Sequence, residues 1–326
     1  MNKSKSLFMG TMIMGTMITV SSNNWISMWM GLEMNMMSFI PLIIKQNNKL
    51  SSEAALIYFL TQSVSSMLLL FSILAVGGGM EMQLFINLGV ISVLVKLGAA
   101  PFHMWFPEVM SKMSWENCTL LMTWQKIAPM MVINNMQYSN NIMYITVMLS
   151  TMVGAIGGLN QTSLRKLMGY SSINHLGWML ILNKTQNNWC NYLLIYSMMI
   201  TTMCYMFNYY KMFFINQINS CNFSMSEKIT YVIALMSLGG LPPFLGFILK
   251  WMVIQTMIQD KMITLMTIMI MFSLITLFYY LRMITSMLLT FSSANKWMTF
   301  KSNNNINIMI TMLNMSLPLM TIINFN

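Results

Sequence analysis

The chain has 326 residues, of which 56% are hydrophobic and only 7% are charged, and its mean hydropathy is +0.62. An ordinary soluble domain carries roughly 25% charged residues, so this chain has too few charges to cover a soluble surface of its size. The composition excludes a soluble globular protein and indicates that the lipid bilayer is the solvent for most of the fold.

Apolar stretches of about 20 residues recur along the whole chain, and each is long enough to cross a hydrocarbon core about 30 Å thick. The sequence therefore predicts an all-α polytopic membrane protein with about eleven transmembrane helices in a single membrane domain, residues 1–326. The predicted spans are 4–21, 25–45, 53–76, 83–106, 114–136, 140–160, 163–183, 188–211, 227–258, 262–284 and 305–325.

Basic residues predict the orientation of these spans. The balance of 17 Lys and Arg against 7 Asp and Glu would suggest a nucleic-acid partner on a soluble protein. Here the loops on the side of the N-terminus contain 11 basic residues, whereas those on the other side contain 2, Lys184 and Lys261. This is the positive-inside pattern, so it predicts an N-terminus on the inner side, a C-terminus on the opposite side, and no nucleic-acid partner.

Two helix-breaking clusters, residues 98–102 and 240–244, contain matching Gly, Pro and Phe residues at a constant offset of 142. The offset equals five predicted spans, and because five is odd, the second copy is inverted. The sequence predicts two inverted five-helix repeats, 4–136 and 140–284, followed by a C-terminal helix at 305–325. Inverted repeats with discontinuous helices are typical of transporters that bind ions near the middle of the membrane.

The same clusters predict interruptions of the fourth and ninth spans, near Ala100 and Pro242. The ninth span supports this independently, because its length exceeds a bilayer unless the helix is broken or strongly tilted. The freed backbone groups must then be shielded by protein or water, since lipid offers no partners. The alternative interpretation is a pair of proline kinks without functional meaning.

Four ionisable residues, Glu33, Lys96, Lys126 and Lys250, lie inside predicted spans. An isolated charge at that depth costs several kcal/mol, so each needs a partner or contact with water. A carboxylate that moves relative to a buried amine changes the amine's proton affinity, which suits proton loading and release. Individually, each residue could instead belong to a static ion pair.

The two histidines, His103 and His175, are candidate proton relays near neutral pH. His175 lies in the middle of a span with serine neighbours, and His103 follows the first helix break; for either, a satisfied core histidine is the alternative. We predict that a connected hydrophilic file near mid-membrane contains Glu33, Lys96, Lys126, His175 and Lys250. The four cysteines have no metal-ligand spacing, so no metal site is predicted.

Several segments together resemble one protein family. They are residues 96–103, 123–129, 158–166 and 239–251, and they are similar to the subunit 2 family of NADH dehydrogenase of animal mitochondria, especially of insects. That family belongs to the antiporter-like subunits of respiratory complex I, which are related to Mrp cation/proton antiporters. The resemblance implies a subunit that translocates protons across the mitochondrial inner membrane, coupled to NADH:ubiquinone oxidoreduction elsewhere in the complex.

The resemblance also implies residue roles, partners and location. Glu33 and Lys96 would form the gate of the first half-channel, Lys126 the central connection, and Lys250 the lysine of the second half. No cofactor is expected in this chain, because NADH, FMN, iron–sulfur clusters and ubiquinone would bind partner subunits. The expected partners are other membrane-arm subunits, above all the neighbouring antiporter-like and small core subunits, and membrane lipids. The N-terminus would face the matrix and the C-terminus the intermembrane space.

Two other functions remain open at this stage. A free-standing Mrp-like cation/proton antiporter would use the same charged residues. A structural membrane subunit without transport would tolerate the loss of the lysines in the spans.

Overall fold

The computed structural model describes residues 2–44, 48–79, 82–136, 139–185, 188–220, 223–289 and 304–318. These residues form α-helices and no β-strand, apart from an isolated antiparallel bridge between Ser163 and Phe214. The predicted all-helical class is therefore confirmed. The helices are α1 (Asn2–Ser21), α2 (Trp25–Ile43), α3 (Lys49–Gly77), α4 (Met82–Leu97), α5 (Trp105–Lys112), α6 (Trp115–Met122), α7 (Trp124–Asn135), α8 (Asn140–Leu159), α9 (Leu164–Thr185), α10 (Trp189–Tyr209), α11 (Ile215–Ser220), α12 (Met225–Gly239), α13 (Gly246–Gln259), α14 (Ile263–Leu289) and α15 (Asn304–Asn314).

Most predicted spans correspond to single helices, namely α1, α2, α3, α8, α9, α10 and α14. Within the described ranges, five helices are long and apolar enough to cross a membrane: α2, α3, α8, α10 and α14. Large apolar side chains point outward from the two longest of these, where Met67, Phe71, Leu274 and Phe278 are each more than half exposed. Such surfaces suit lipid rather than water. The total of about eleven spans stays a prediction.

The chain divides into two compact units, Met1–Ser150 and Thr151–Asn326, with the division inside α8. In the first unit, α1 packs on α2, and α3 packs on α2, α4 and α5. In the second unit, α12 packs on α10, α14 and α15, and α13 packs on α9 and α10. The repeat bounds 4–136 and 140–284 and their inverted relation stay predictions.

The predicted interruption near Ala100 is present. Helix α4 ends at Leu97, the chain turns through Gly98, and helix α5 begins at Trp105. Ala99 and Ala100 in this turn are fully buried. The Trp105 indole N–H donates to the carbonyl of Val95 at 3.2 Å, and the Gln62 side-chain amide donates to that of Lys96 at 3.2 Å. The Gln62 amide thus satisfies the Lys96 carbonyl at the end of α4, and the Trp105 indole is a second donor to the Val95 carbonyl, which also accepts from the Gly98 N–H.

The second interruption, predicted near Pro242, separates α12 from α13. The chain leaves α12 at Gly239 and enters α13 at Gly246. The Lys250 ammonium donates to the Gly239 carbonyl at 2.7 Å. Asn314 of α15 covers the other side of the break, where its backbone oxygen accepts from the Leu245 N–H at 3.0 Å and its side-chain oxygen accepts from the Ser237 hydroxyl at 2.7 Å.

The two breaks begin with the same backbone geometry, at the glycine that ends the preceding helix. Gly98 and Gly240 have φ angles of +70° and +72°, a left-handed conformation that glycine adopts without a steric penalty. Two hydrogen bonds close each helix end: Gly98 N–H to Val95 and Ala99 N–H to Leu94 at the first break, and Gly240 N–H to Ser237 and Leu241 N–H to Met236 at the second. Each donor and acceptor of the first break lies 142 residues before its counterpart in the second. This shared local geometry extends the sequence repeat to the backbone.

The predicted span 114–136 contains a further break that the sequence pattern did not indicate. Helix α6 ends at Met122 and α7 begins at Trp124, because Thr123 leaves helical geometry with φ −114° and ψ −73°. Its hydroxyl turns back to the Thr119 carbonyl at 2.6 Å. Pro129, one turn into α7, cannot donate a backbone hydrogen bond, which weakens the start of that helix. The result is a bend directly before Lys126.

The C-terminal span 305–325 is described only in part. Helix α15 covers Asn304–Asn314, and residues 319–326 lie outside the described ranges. The short helix α11 between α10 and α12 was not predicted.

The start of α13 gives a test of the second break. A Cβ on Gly246 would overlap the Ser237 carbonyl oxygen. We expect Gly246→Ala to destabilise the second unit by about 1–3 kcal/mol, because the backbone must move to make room. The measurement is the temperature at which half of the folded protein has been lost when native membranes are heated.

Gly239→Ala is the matched control. A Cβ at this position would meet its nearest neighbour, a leucine side-chain carbon, at 3.7 Å, which is ordinary contact. We expect almost no loss of stability for this variant. Equal stability of the two variants would contradict the close approach of Gly246 to the end of α12.

Candidate functional site

The first unit holds an ion pair between Glu33 of α2 and Lys96 at the end of α4. The Lys96 Nζ lies 3.6 Å from the Glu33 Oε1, and the side chains are 3% and 20% exposed, respectively. Charge-assisted hydrogen bonds are shorter, about 2.7–2.9 Å, so the pair is in electrostatic contact without a tight bond. Among the described residues, neither of these two atoms has a hydrogen-bond partner. A shift of a little under 1 Å in one helix would bring the pair into a tight hydrogen bond.

Lys126 is the second buried ammonium group of this unit. It lies in the first turn of α7, next to the bend at Thr123, and is 2% exposed. Its Nζ lies 5.9 Å from the centroid of the Phe106 ring, which is within the range of a cation–π contact. Phe106 belongs to α5, which follows the first helix break, so the break and the bend together position this amine.

A chain of polar side chains surrounds the two lysines. The Gln125 amide donates to the Asn35 side-chain oxygen at 3.0 Å, and the Tyr58 hydroxyl donates to the Gln125 oxygen at 3.4 Å. Asn35 and Gln62 are almost fully buried. These groups provide hydrogen-bond donors and acceptors in a region where lipid would provide none.

Lys96 and Lys126 line the same cavity. It has a volume of about 20 Å³, and Tyr58, Gln62 and Gln125 contribute to its wall. One water molecule needs roughly 10–15 Å³ and two to four polar partners. The cavity is therefore large enough for one water molecule, and polar side chains form part of its wall.

Lys250 lies in the second unit, in α13, and its ammonium caps the end of α12 through the Gly239 carbonyl. The C-terminal end of a helix has partial negative charge, which stabilises a cation there. Gly240 allows this contact, since a Cβ at that position would lie only 2.7–2.9 Å from the end of the Lys250 side chain. The Lys250 ammonium thus stabilises the end of α12 at the break. In transporters, interrupted helices are the places where ions bind.

His175 lies in the middle of α9 and is 7% exposed. Its Nδ1 is 2.8 Å from the Tyr192 hydroxyl, and its ring centroid is 4.9 Å from that of Tyr196. Both tyrosines belong to α10 and are fully buried. A buried histidine that is hydrogen-bonded to a hydroxyl fits both a proton relay and a satisfied core histidine, so the relay role of His175 stays a prediction.

His103 lies within the first break, where its Nδ1 is 3.2 Å from the Pro101 carbonyl. The side chain is half-buried and does not contribute to the wall of the cavity that Lys96 and Lys126 share. Arg282 of α14 donates to the carbonyls of Leu159 and Gln161 at 2.6 and 3.0 Å. It therefore caps the end of α8.

Sequence reasoning did not select the polar partners of these ionisable residues. Asn35 and Gln62 are the single amides of α2 and α3, Gln125 is one of three amides in α7, and Tyr192 and Tyr196 were not distinguished from other interfacial or core tyrosines. Sequence position could have identified two of these amides, because Asn35 is two residues from Glu33 and Gln125 is next to Lys126. Across the described residues, no group of three or more His, Cys, Asp or Glu side chains is arranged to hold a metal ion.

Known sequences show which family the chain is similar to. Residues 22–276 match the family described as NADH:quinone oxidoreductase/Mrp antiporter, TM. The chain is 42% identical over 322 residues to NADH-ubiquinone oxidoreductase chain 2 of Locusta migratoria, with 96% of this chain and 94% of the relative covered. It is 45% identical over 318 residues to the protein of the same name in Anopheles gambiae, with 93% and 91% covered.

Solved structures show the same fold at lower identity. A chain of respiratory complex I from Thermus thermophilus superposes with a TM-score of 0.83 and 22% identity, covering 95% of this chain and 76% of that one. A chain of the Mrp complex from Dietzia sp. superposes with a TM-score of 0.75 and 14% identity, covering 85% and 59%. At these identities the likeness concerns the fold alone.

Proposed function

Because the chain belongs to the family of NADH-ubiquinone oxidoreductase chain 2, we propose that it is a core membrane subunit of respiratory complex I, the proton-translocating NADH:ubiquinone reductase. The observation that supports this most strongly is a buried ion pair and a second buried lysine beside one polar cavity, in a chain related over nearly its whole length to that family. Proton translocation needs ionisable groups inside the membrane, and such groups are otherwise rare there.

The ion pair acts as the gate of the first unit. Opening the 3.6 Å contact between Glu33 and Lys96 changes the electrostatic field at Lys96, so that its ammonium releases a proton into the cavity. Lys126 receives the proton through the water that the cavity can hold. Lys250 and His175 serve the same translocation in the second unit, and His103 is a candidate group for proton exchange at the first break.

NADH is oxidised and ubiquinone is reduced elsewhere in the complex. FMN, iron–sulfur clusters and both substrates bind partner subunits, and this chain contributes proton transfer alone. Its partners are the neighbouring antiporter-like and small core subunits of the membrane arm, together with membrane lipids. The exposed apolar side chains of α3 and α14 provide surfaces for such neighbours and lipids.

The protein is a multi-pass protein of the mitochondrial inner membrane. The 11 to 2 distribution of basic residues between loops supports an N-terminus in the matrix and a C-terminus in the intermembrane space. The matching φ angles and hydrogen bonds at Gly98 and Gly240 support two repeats. The two breaks are five predicted spans apart, and because five is odd, the second repeat would be inverted relative to the first.

Native electrophoresis of solubilised inner membranes tests this proposal against a free-standing antiporter. We expect an antibody against this chain to detect it only in the large band that stains for NADH oxidation. A separate band without NADH oxidation, together with cation/proton exchange by the purified chain, would support the antiporter and overturn the proposal.

A further inference from the structure

The C-terminal helix α15 covers the second helix break with a buried asparagine. Asn314 is the last residue of α15 and is only 3% exposed. An amide buried in an apolar protein is unfavourable unless its polar atoms have partners. All the partners of this amide lie in α15 itself or at the second break, so its role belongs to that break.

Three polar groups of Asn314 form hydrogen bonds. Its backbone oxygen accepts from the Leu245 N–H at 3.0 Å, and its side-chain oxygen accepts from the Ser237 hydroxyl at 2.7 Å. Its side-chain nitrogen donates to the Ile310 carbonyl at 2.9 Å, one turn earlier in α15. This last bond fixes the amide plane, so the side-chain oxygen faces Ser237 in a defined orientation.

The two partners outside α15 lie on opposite sides of the break. Ser237 belongs to the last turn of α12, whereas Leu245 directly precedes α13. The N–H groups at the start of a helix have no helical partner, and Asn314 provides the acceptor for the one at Leu245. One residue of α15 thus joins the end of α12 to the start of α13.

The Ser237 hydroxyl has a second acceptor in its own helix. It lies 2.7 Å from the Asn314 side-chain oxygen and also 2.7 Å from the Ala234 carbonyl, and it has one proton to donate. Only the contact with Asn314 joins two helices. Loss of the Asn314 amide therefore leaves Ser237 hydrogen-bonded within α12, and it removes a connection without creating an unsatisfied hydroxyl.

The first break is connected in a different way. There the Trp105 indole, at the start of α5, donates to the Val95 carbonyl in the last turn of α4 at 3.2 Å. The residues 142 positions later are Phe247 and Ser237. Phenylalanine has no N–H group, so the indole bond cannot form at the second break. Asn314 provides a connection there, and it does so at Ser237, the counterpart of Val95.

The contact of Lys250 spans the same break. The lysine belongs to α13, whereas its acceptor, the Gly239 carbonyl, ends α12 at 2.7 Å. The two half-helices also meet at Gly246, where a Cβ would overlap the Ser237 carbonyl oxygen. The position of Lys250 relative to its acceptor therefore depends on how α12 and α13 are held together.

We propose that Asn314 is a positioning residue that holds α12 and α13 together, so that the Gly239 carbonyl stays in place for the Lys250 ammonium. The inference rests on the proposed function, because it assigns a residue that supports the Lys250 site of a proton-translocating subunit. When the ammonium leaves Gly239 during translocation, the bonds of Asn314 keep the break closed. The ammonium then returns to the same acceptor.

Asn314→Leu tests this role, because leucine has a similar volume and lacks both polar groups of the amide. In complex I assembled in sealed membranes, we expect coupled turnover per assembled complex to fall about fivefold. This factor corresponds to the loss of one hydrogen bond with a net value of about 1 kcal/mol. A residue that serves stability alone would lower the amount of assembled complex and leave the turnover of each complex unchanged.

Asn307→Leu is the matched control. Asn307 lies two turns earlier on the same face of α15 and is 6% exposed, and its side-chain nitrogen has no hydrogen-bond partner in the part of the chain that the structure describes. Turnover per assembled complex should stay at the parental value in this variant. Parental turnover in an assembled Asn314→Leu complex would overturn the inference.

The same change in a Lys250→Met background shows whether Asn314 acts through Lys250. Without the ammonium there is nothing left to position, so the double variant should turn over at the rate of Lys250→Met alone. Changes at sites that act together are not additive. A further fivefold loss in the double variant would show that Asn314 acts independently of Lys250, which would contradict the proposed role.

Ser237→Ala gives a second test from the other side of the contact. It removes only the hydroxyl, so it keeps the test available if Asn314→Leu does not assemble. We expect a loss of turnover per complex similar to that of Asn314→Leu. Parental turnover in the Ser237→Ala complex would show that the bond between α12 and α15 does not position the lysine, and the inference would be wrong.

Lys126→Met, measured in the same preparation, separates this inference from the proposed function. If Lys126→Met and Lys250→Met slow coupled turnover and Asn314→Leu does not, the positioning role is wrong and the proposed function stands. If both lysine variants turn over and pump like the parent, the proton-translocating role of this chain fails, and the positioning role fails with it.

Discussion

Lys126→Met is expected to lower coupled NADH:ubiquinone turnover about tenfold or more, because a positioned proton-transfer group contributes roughly 10²- to 10⁴-fold to the step that it serves. Lys126 is 2% exposed and lines the cavity that Lys96 also lines, and under the proposed function its ammonium receives the proton that leaves the ion pair. Methionine keeps most of the aliphatic stem and removes the charge. The measurement is NADH:ubiquinone turnover together with the number of protons pumped per electron in sealed inner-membrane vesicles.

Assembly should be preserved in this variant, since a buried charge is replaced by an apolar side chain of similar length. Lys250→Met is the comparison in the second unit. Its loss leaves the Gly239 carbonyl without its 2.7 Å donor, so we expect it to lower both pumping and thermal stability. Assembled Lys126→Met and Lys250→Met complexes that pump at the parental ratio of protons to electrons would refute a role for these lysines.

Glu33→Gln is expected to abolish the controlled loading and release of a proton at Lys96, because the carboxylate that favours the ammonium form is gone, and to destabilise the first unit by roughly 3 kcal/mol. Breaking a buried ion pair leaves an uncompensated charge, which costs about 3–5 kcal/mol, and the 20% exposure of Glu33 places this pair at the lower end. Coupled turnover should fall because a neutral amide cannot hold or free the Lys96 proton by moving. Turnover and the thermal loss of the assembled complex are the two measurements.

The surface pair of Glu53 and Lys112 is the control. Their charged atoms are 3.2 Å apart, but the Glu53 side chain is 54% exposed, so Glu53→Gln should cost only about 0–1 kcal/mol and leave pumping unchanged. Adding Lys96→Met to Glu33→Gln should restore part of the lost stability, because the orphaned ammonium is removed. Additive stability losses in that double variant would show that the two groups are not energetically coupled.

A gate is required by the energetics of the membrane. A continuously hydrated path would let protons return, and each returning proton dissipates about 2.3 kcal/mol per 100 mV of membrane potential. The first unit has the parts of a gate, since the ion pair is loose at 3.6 Å and the cavity beside Lys96 has room for about one water. Under the proposed function, small helix movements connect or separate Lys96 and Lys126 without opening a permanent channel.

The sequence by itself determined the class of the fold and the position of the main interruptions. Apolar runs need no tertiary information to predict membrane helices, because their length and composition are set by the bilayer. The Gly-Pro clusters at 98–102 and 240–244 predicted breaks for an equally local reason, since glycine and proline act on the backbone at their own position. Glu33, Lys96, Lys126 and Lys250 were selected because a charge inside an apolar run is exceptional wherever the helix packs.

The tertiary structure alone decided which groups meet. Glu33 and Lys96 are 63 residues apart, and Tyr192 reaches His175 from another helix, so their contacts depend on helix packing that no local pattern specifies. The bend at Thr123 was missed because threonine is compatible with helical geometry, so its local sequence does not predict a break. The bend depends on tertiary packing, in which Lys126 lies over the Phe106 ring. Local chemistry thus predicted which residues are energetically unfavourable in a membrane, whereas helix packing determined which side chains stabilise them.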